Sequence, residues 1–342
     1  MGAATVGIVV IGRNEGERLI RCLKSLPPRA HVVYIDSGSA DGSLNRAQDM
    51  GFSAVLLSDD RPFSAARARN EGALFFQTKG EMPDFIQMID GDCELNPSWI
   101  DAALGAMRAE PALAAVFGRL RERHPGASLY NALCDDEWNG PVGRVDACGG
   151  IALFRSTSFA HAGGFNEQLI AGEEPDLCLR MRQQNGIIRR IESEMALHDA
   201  AMTHFSQWWV RTRRSGFAYT EHVLLHRGKA IPAWTRAVFS IFLWAGGLPL
   251  IILMLSMGAV YCSQFLFGAA ALLLFGLYPL QWFRIMQRKR REGASASFSR
   301  AYAGFMIIAK FPQLGGALRA LFRHVTKAKV QLIEYKRAGP AA

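Results

Sequence analysis

Phe85-Ile86-Gln87-Met88-Ile89-Asp90-Gly91-Asp92 reads as an apolar strand that runs into two carboxylates with a single glycine between them. The glycine lets the backbone bend so that both acids point toward one cation and its diphosphate, and hard oxygen donors suit Mg2+ or Mn2+. Asp-Gly-Asp is also an ordinary turn, so its meaning rests on what flanks it. Upstream, residues 6–11 and 31–35 are short β-branched runs, and residues 18–26 and 43–50 carry helical patterns. Residues 97–108 read as the helix after the triplet. This alternation is the rhythm of βαβ units in an open, mostly parallel sheet flanked by helices. Ligands of such sheets sit beyond the carboxyl ends of strands, where Asn14, Glu15, Asp36 and Asp90 all fall.

Other α/β chemistries lack their signatures. Gly12-Arg13-Asn14-Glu15-Gly16 after the first strand does not have the GxGxxG spacing and sets a carboxylate where a dinucleotide's pyrophosphate would lie. There is no Walker A segment, no GxSxG, no HExxH and no cysteine nucleophile with its partners. Carboxylate chemistry remains. A second acidic cluster, Gly172-Glu173-Glu174-Pro175-Asp176-Leu177, precedes an amphipathic run, with Glu173 and Glu174 expected ahead of the helix. Like-charged neighbours raise a carboxyl pKa toward the range of a general base, whereas the plainer alternative is acids at a helix N-terminus. Cys134-Asp135-Asp136-Glu137-Trp138 is an acidic stretch that either borders an acceptor site or is a solvated loop. His204, His222 and His226 share no ligand spacing and read as surface or packed residues.

The 342 residues are 50% hydrophobic, with a net charge of +9 and a pI near 9.5. From Arg284 onward there are thirteen Lys/Arg against two Asp/Glu, which leaves residues 1–283 slightly acidic. A basic tail beside an apolar segment points to anionic membrane lipids and away from nucleic acid. Residues 237–283 contain no Asp, Glu, Lys or Arg, long enough for two crossings of a bilayer core. A helical hairpin is expected near residues 238–260 and 265–283, turning at 261–264. Arg227, Lys229 and Arg236 before it and Arg284, Arg288, Lys289, Arg290 and Arg291 after it put both ends on the cytoplasmic side. Beyond it, Phe305, Ile308, Phe311, Leu314, Leu318 and Leu321 recur at helical spacing with Lys310, Arg319, Arg323, Lys327 and Lys329 between. They predict an amphipathic interfacial helix, with a further crossing or re-entrant segment over 301–322 as the alternative. Trp208-Trp209-Val210-Arg211-Thr212-Arg213-Arg214 would rest on the membrane surface or clamp a diphosphate. No secretory signal is read at residues 1–11, and the six scattered cysteines are expected to be reduced and buried.

Taken in order, several blocks resemble glycosyltransferase family 2, the inverting nucleotide-sugar transferases of the GT-A fold. Val9-Val10-Ile11-Gly12-Arg13-Asn14-Glu15, Tyr34-Ile35-Asp36-Ser37-Gly38-Ser39-Ala40-Asp41-Gly42-Ser43 and Ala66-Arg67-Ala68-Arg69-Asn70-Glu71-Gly72 are similar to its first strands and helix start. Met88-Ile89-Asp90-Gly91-Asp92 stands as its DxD. Gly149-Gly150-Ile151-Ala152-Leu153-Phe154-Arg155, Gly163-Gly164-Phe165-Asn166-Glu167 and the 172–180 cluster resemble its acceptor side. The resemblance implies a Rossmann-like GT-A domain over residues 1–230, a transmembrane hairpin over 237–283 and a basic tail over 284–342. It implies a nucleotide-diphosphate sugar donor contacted by Asn14, Glu15, Asp36, Arg67 and Asp90. It implies a divalent metal, Mg or Mn, on Asp92 and His198, and Glu174 beside Glu173 as the catalytic base. The acceptor would be lipid-linked or a glycan on the cytoplasmic face. Three departures stand out: Glu174 replaces the usual Asp, Ser37 replaces a second acid, and Arg13 replaces a base-stacking aromatic. They leave a non-catalytic membrane scaffold as the rival reading.

Overall fold

The computed structural model describes residues 4–28 and 30–327, in two compact units that part between His204 and Phe205. The first unit is built on a nine-stranded sheet. Its strands are β1 (Val6–Gly12), β2 (His31–Asp36), β3 (Ser53–Leu56), β4 (Phe85–Asp90), β5 (Cys93–Leu95), β6 (Leu113–Glu122), β7 (Gly143–Arg144), β8 (Ala152–Arg155) and β9 (Ile187–His198). Its helices are α1 (Glu17–Ser25), α2 (Ser43–Asp49), α3 (Ala65–Thr78), α4 (Trp99–Ala109), α5 (Leu129–Glu137), α6 (Ser156–His161) and α7 (Glu173–Gln183). The order β3-β2-β1-β4-β8-β6-β9-β5, with β7 on β9, is parallel from β3 to β4 and mixed beyond.

Both faces of the parallel half are covered, which is why its strands read as apolar runs without alternation. Alternation is still present in what each residue touches. Val9, Ile11, Val33, Ile35, Ile86 and Met88 pack with α3, α6 and α7 on one face, and Ile8, Val10, Tyr34, Phe85 and Ile89 with α1 and α4 on the other. Gly72 of α3 sits so close to Val9 that any side chain there would overlap it, which brings the helix onto β1. Gln87, buried in β4, accepts a 2.8 Å hydrogen bond from Trp99 Nε1 and so ties the sheet centre to α4.

Two expectations are corrected here. Residues 134–137 are not a loop: they form the end of α5, which Ser128 starts, its Oγ accepting the amide of Asn131, and Trp138 caps the helix. Glu173 and Glu174 do not precede their helix but form its first turn, after Gly172 in the left-handed region at φ 85°.

The second unit begins with α8 (Phe205–Leu225), earlier than the boundary expected near 230, because α8 packs along a C-terminal helix. Three further helices follow, α9 (Pro232–Tyr261), α10 (Phe265–Arg291) and α11 (Ala296–Thr326), each long and apolar enough to cross a membrane. The first two contain the expected hairpin. The third exceeds the amphipathic segment expected there, and residues 328–342, with Lys329, lie outside the described residues. α9 includes a π-helical turn at Phe242–Gly247, and Tyr278 of α10 donates to the Trp244 carbonyl within it at 2.6 Å. Large apolar side chains such as Val260, Phe265, Leu272 and Leu273 are more than two-thirds exposed, far more apolar surface than a water-facing bundle carries. α8 and α11 run parallel: Trp208 meets Phe305 at 4.8 Å, Gly216 meets the Gln313 backbone, Gly316 meets the Arg213 backbone, and Glu221 pairs with Arg323. Small residues at the crossing let the two backbones touch. Five of the six cysteines are buried; Cys262, in the α9–α10 turn, is exposed, contrary to expectation.

Replacing Trp99 by Phe leaves Gln87 Oε1 buried without its donor, a cost of about 1–3 kcal/mol. The expected outcome is a lower thermal unfolding midpoint of the detergent-purified protein by circular dichroism, with the secondary structure at low temperature unchanged.

Candidate active site

The loops after β1 and β2 are stitched together by side chains. Asn14, in the left-handed region at φ 55°, accepts the Ala40 amide through Oδ1 at 2.8 Å and donates its own amide to Ser39 Oγ at 2.9 Å. Asp36 is fully buried, and its two oxygens accept the Ser39 amide at 2.7 Å and the Tyr34 hydroxyl at 2.8 Å. Burial and the Asp36 charge push the Tyr34 hydroxyl's pKa up, so Tyr34 stays a donor. Glu15 is held by Arg18 at 2.9 Å. Arg13 lies over the Phe63 ring at 5.6 Å, so the position expected to hold a stacking aromatic is itself stacked on one.

The centre of the site is Arg69 on α3, whose side chain is 3% exposed. Its guanidinium reaches Asp90 at the end of β4 at 3.0 Å, Glu174 at 3.0 Å and Glu173 at 3.2 Å, both in the first turn of α7. The Phe165 ring lies 5.4 Å away. Gly150 closes the cluster: a Cβ there would overlap the guanidinium and stand 3.2 Å from Asp90 Oδ2 and 3.3 Å from Glu174 Oε1. Behind α7's first turn, Cys148 and Cys178 bring their sulfurs within 3.5 Å. Burial, with the neighbouring Glu173, raises the Glu174 pKa to about 7 against the opposing pull of Arg69. Glu174 therefore changes protonation near neutrality, as a general base requires.

Arg67, expected near the nucleotide, pairs with Asp60 at 2.8 Å and donates to the Arg61 carbonyl at 2.7 Å. Arg69, quoted in the same block yet given no role, is the residue that joins the acids. The signal was available in Gly72, whose contact with β1 sets which face of α3 points at β4.

Asp92, just after β4, lies on the other side of Gly91. His198, the last residue of β9, sets Nε2 3.2 Å from Asp92 Oδ2. Cys93 is paired with His198 across β5 and β9 and completes a group of donor atoms within 4.8 Å of one another. Among the described residues His198 Nδ1 is buried without a hydrogen-bond partner. A carboxylate oxygen and an imidazole nitrogen are donors that a divalent cation such as Mn2+ or Mg2+ accepts, and the thiol adds a softer one, so the residues present fit a divalent cation. Trp138, after α5, meets the His198 ring edge-on at 4.7 Å. The acidic stretch of α5 is partly structural: Asp135 pairs with Arg119 at 2.8 Å.

Residues 7–159 match the sequence model of the family described as Glycosyl transferase family 2. Two curated relatives, pre-mycofactocin glycosyltransferases from two strains of Mycobacterium tuberculosis, are each 26% identical over 243 residues, 66% of this chain and 49% of theirs. The chain thus spans about half the length of the curated relatives it matches. Among solved structures, a mannosyltransferase from Pyrobaculum calidifontis in complex with GDP-Man and Mn2+ aligns with a TM-score of 0.59 at 16% identity, over 94% of this chain and 88% of that one. That likeness is one of fold, and the fold is GT-A.

Because the native state favours neutral Glu174, stability is lost as pH rises from the ordinary carboxyl range through about 7. Glu174→Gln cannot ionise, so its thermal midpoint should match the wild type near pH 5 and exceed it near pH 8. A variant that melts lower at both pH values would contradict this account of the cluster.

Proposed function

We propose that this chain, which carries a family 2 glycosyltransferase domain on the GT-A fold, moves a sugar from a nucleoside diphosphate donor to an acceptor hydroxyl with inversion at the membrane surface. The observation that carries this reading is the Arg69 cluster, in which one guanidinium holds Asp90 of the DxD and the titrating acid Glu174. A base and a diphosphate site joined in this way suit a single displacement at the anomeric carbon.

Asn14, Glu15 and Asp36 belong to the stitched loops that would receive base and ribose, and Asp90 would face ribose or diphosphate. Asp92 and His198 would hold Mg2+ or Mn2+, which when bound neutralises charge on the departing diphosphate. The mannosyltransferase of like fold, holding GDP-Man and Mn2+, supports a nucleotide-sugar donor with a divalent cation here. Glu174 takes the acceptor's proton, and burial, with the like charge of Glu173 beside it, keeps it poised. Arg69 limits that effect by attraction, so the base is neither permanently ionised nor permanently neutral near pH 7.

The helices support a membrane-bound enzyme whose acceptor is lipid-linked or a growing glycan. α11 lies along α8, which carries Arg211, Arg213, Arg214 and Glu221. Burying that many ionisable groups in hydrocarbon is costly. We therefore place the α8–α11 pair at the interface, against anionic lipids, and only α9 and α10 across the bilayer. Both flanks of the hairpin then share the cytoplasmic side with the catalytic unit.

Calorimetry with UDP, GDP, dTDP and CDP tests the donor site: one nucleotide should bind with Mn2+ and lose that dependence in Asp92→Ala. Glu174→Gln should lower kcat by about 10²–10⁴-fold while keeping nucleotide affinity, and the wild-type rate should rise with pH through about 7. Binding of no nucleotide would sink the enzyme reading. Topology has a native probe in the exposed Cys262: a membrane-impermeant maleimide added to intact cells should label the wild type and not Cys262→Ser. Labelling only after permeabilisation would reverse the assigned orientation.

A further inference from the structure

His198 is flanked on both sides by its strand neighbours. β5 sets Cys93 opposite it, and β6, in parallel register, sets Glu122 opposite it. The Glu122 side chain is 0% exposed. Its Oε1 accepts the His124 amide and Asn131 Nδ2, each at 3.1 Å, and its Oε2 accepts the Ala200 amide at 3.0 Å. Oε2 also faces His198 Nδ1, at 4.0 Å. The two ring nitrogens therefore stand between two carboxylates, Asp92 on the Nε2 side and Glu122 on the Nδ1 side, with Trp138 against the ring.

The distances distinguish the two nitrogens. At 3.2 Å from Asp92 Oδ2, Nε2 is placed to donate its proton. A neutral imidazole then has a bare lone pair on Nδ1. At 4.0 Å, Glu122 Oε2 faces Nδ1 from beyond hydrogen-bond distance. Ligation of a cation through Nε2 requires its lone pair. In a ring that ligates through Nε2 the N–H is on Nδ1, and there Glu122 Oε2 is the acceptor that faces it.

We propose that Glu122 is a positioning residue of the cation site, accepting the Nδ1 proton of His198 and so fixing the ring tautomer that presents Nε2 to the metal. The inference rests on the reading of Asp92 and His198 as cation ligands. A carboxylate behind a ligating histidine raises the ring's basicity and holds its orientation. Glu122 ends β6 and is also held by three donors, from the segment after β6, from α5 and from the segment after β9, so the orientation it imposes is tied to the sheet.

The test uses the full chain in detergent and two readouts. Mn2+ affinity followed by electron paramagnetic resonance should fall about 10- to 100-fold in Glu122→Gln, and binding should be lost in His198→Ala. Metal-free nucleotide binding by Glu122→Gln should stay near wild type, which a merely structural role would not predict alongside weakened Mn2+ binding. The second readout needs no Glu122 variant: long-range proton–nitrogen correlation of histidine-labelled wild type loaded with Zn2+ should find His198 protonated at Nδ1, assigned by its absence in His198→Gln. A loaded His198 protonated at Nε2, or wild-type Mn2+ affinity in Glu122→Gln, would overturn the role of Glu122 alone. Equal Mn2+ binding by wild type and His198→Ala would overturn the cation reading and this inference together.

Discussion

A guanidinium that is almost wholly removed from water must find its counter-charges inside the protein, and Arg69 finds them on two different elements. Asp90 comes from the end of a central strand, and Glu173 and Glu174 from the start of α7, far along the chain. Three acids around one base leave an excess of negative charge in a low-dielectric setting, and a buried pair of this kind is weak evidence for stability. Its value is in arrangement. The excess is relieved at Glu174, which burial first and then the neighbouring Glu173 push toward neutrality.

That constraint organises the parts around it. α3 must approach β1 closely for Arg69 to reach β4, and Gly72 permits the approach. The 148–150 segment must pass over the guanidinium with no side chain in the way, and Gly150 meets that need. α7 must begin at the cluster, and Gly172 turns the chain into it from the left-handed region. The Asp92–His198 group is set apart from these contacts. It depends on the register of β5, β6 and β9, so the two halves of the site rest on different structural supports.

Much of this was legible in the sequence because local patterns carried it. The apolar runs of β1, β2 and β4, the polar residues at their ends, and the DxD are all local signals. That Arg69 joins the three acids was not local information, since residues two apart on a helix face away from each other and only packing reveals the phase. Glu122 gave no motif at all; its position beside His198 follows from strand register between distant segments. The solvated-loop alternative for residues 134–138 fails because Ser128 and the buried Cys134 mark a helix with one face inward. The packing of α8 on α11 was not legible either, because it turns on single glycines, Gly216 and Gly316, that meet the other helix's backbone.

The passage of Gly150 over Arg69 has a consequence for tracing ancestry. Residues 69, 90, 150 and 174 lie in separate blocks of sequence, yet each excludes most replacements for a reason belonging to the other three. A divergent chain could lose almost every neighbouring identity and still keep an arginine, an aspartate, a glycine and an acid at these places. That dispersed quartet would be a more durable fingerprint than any continuous motif, and one that a search window of a few dozen residues cannot see.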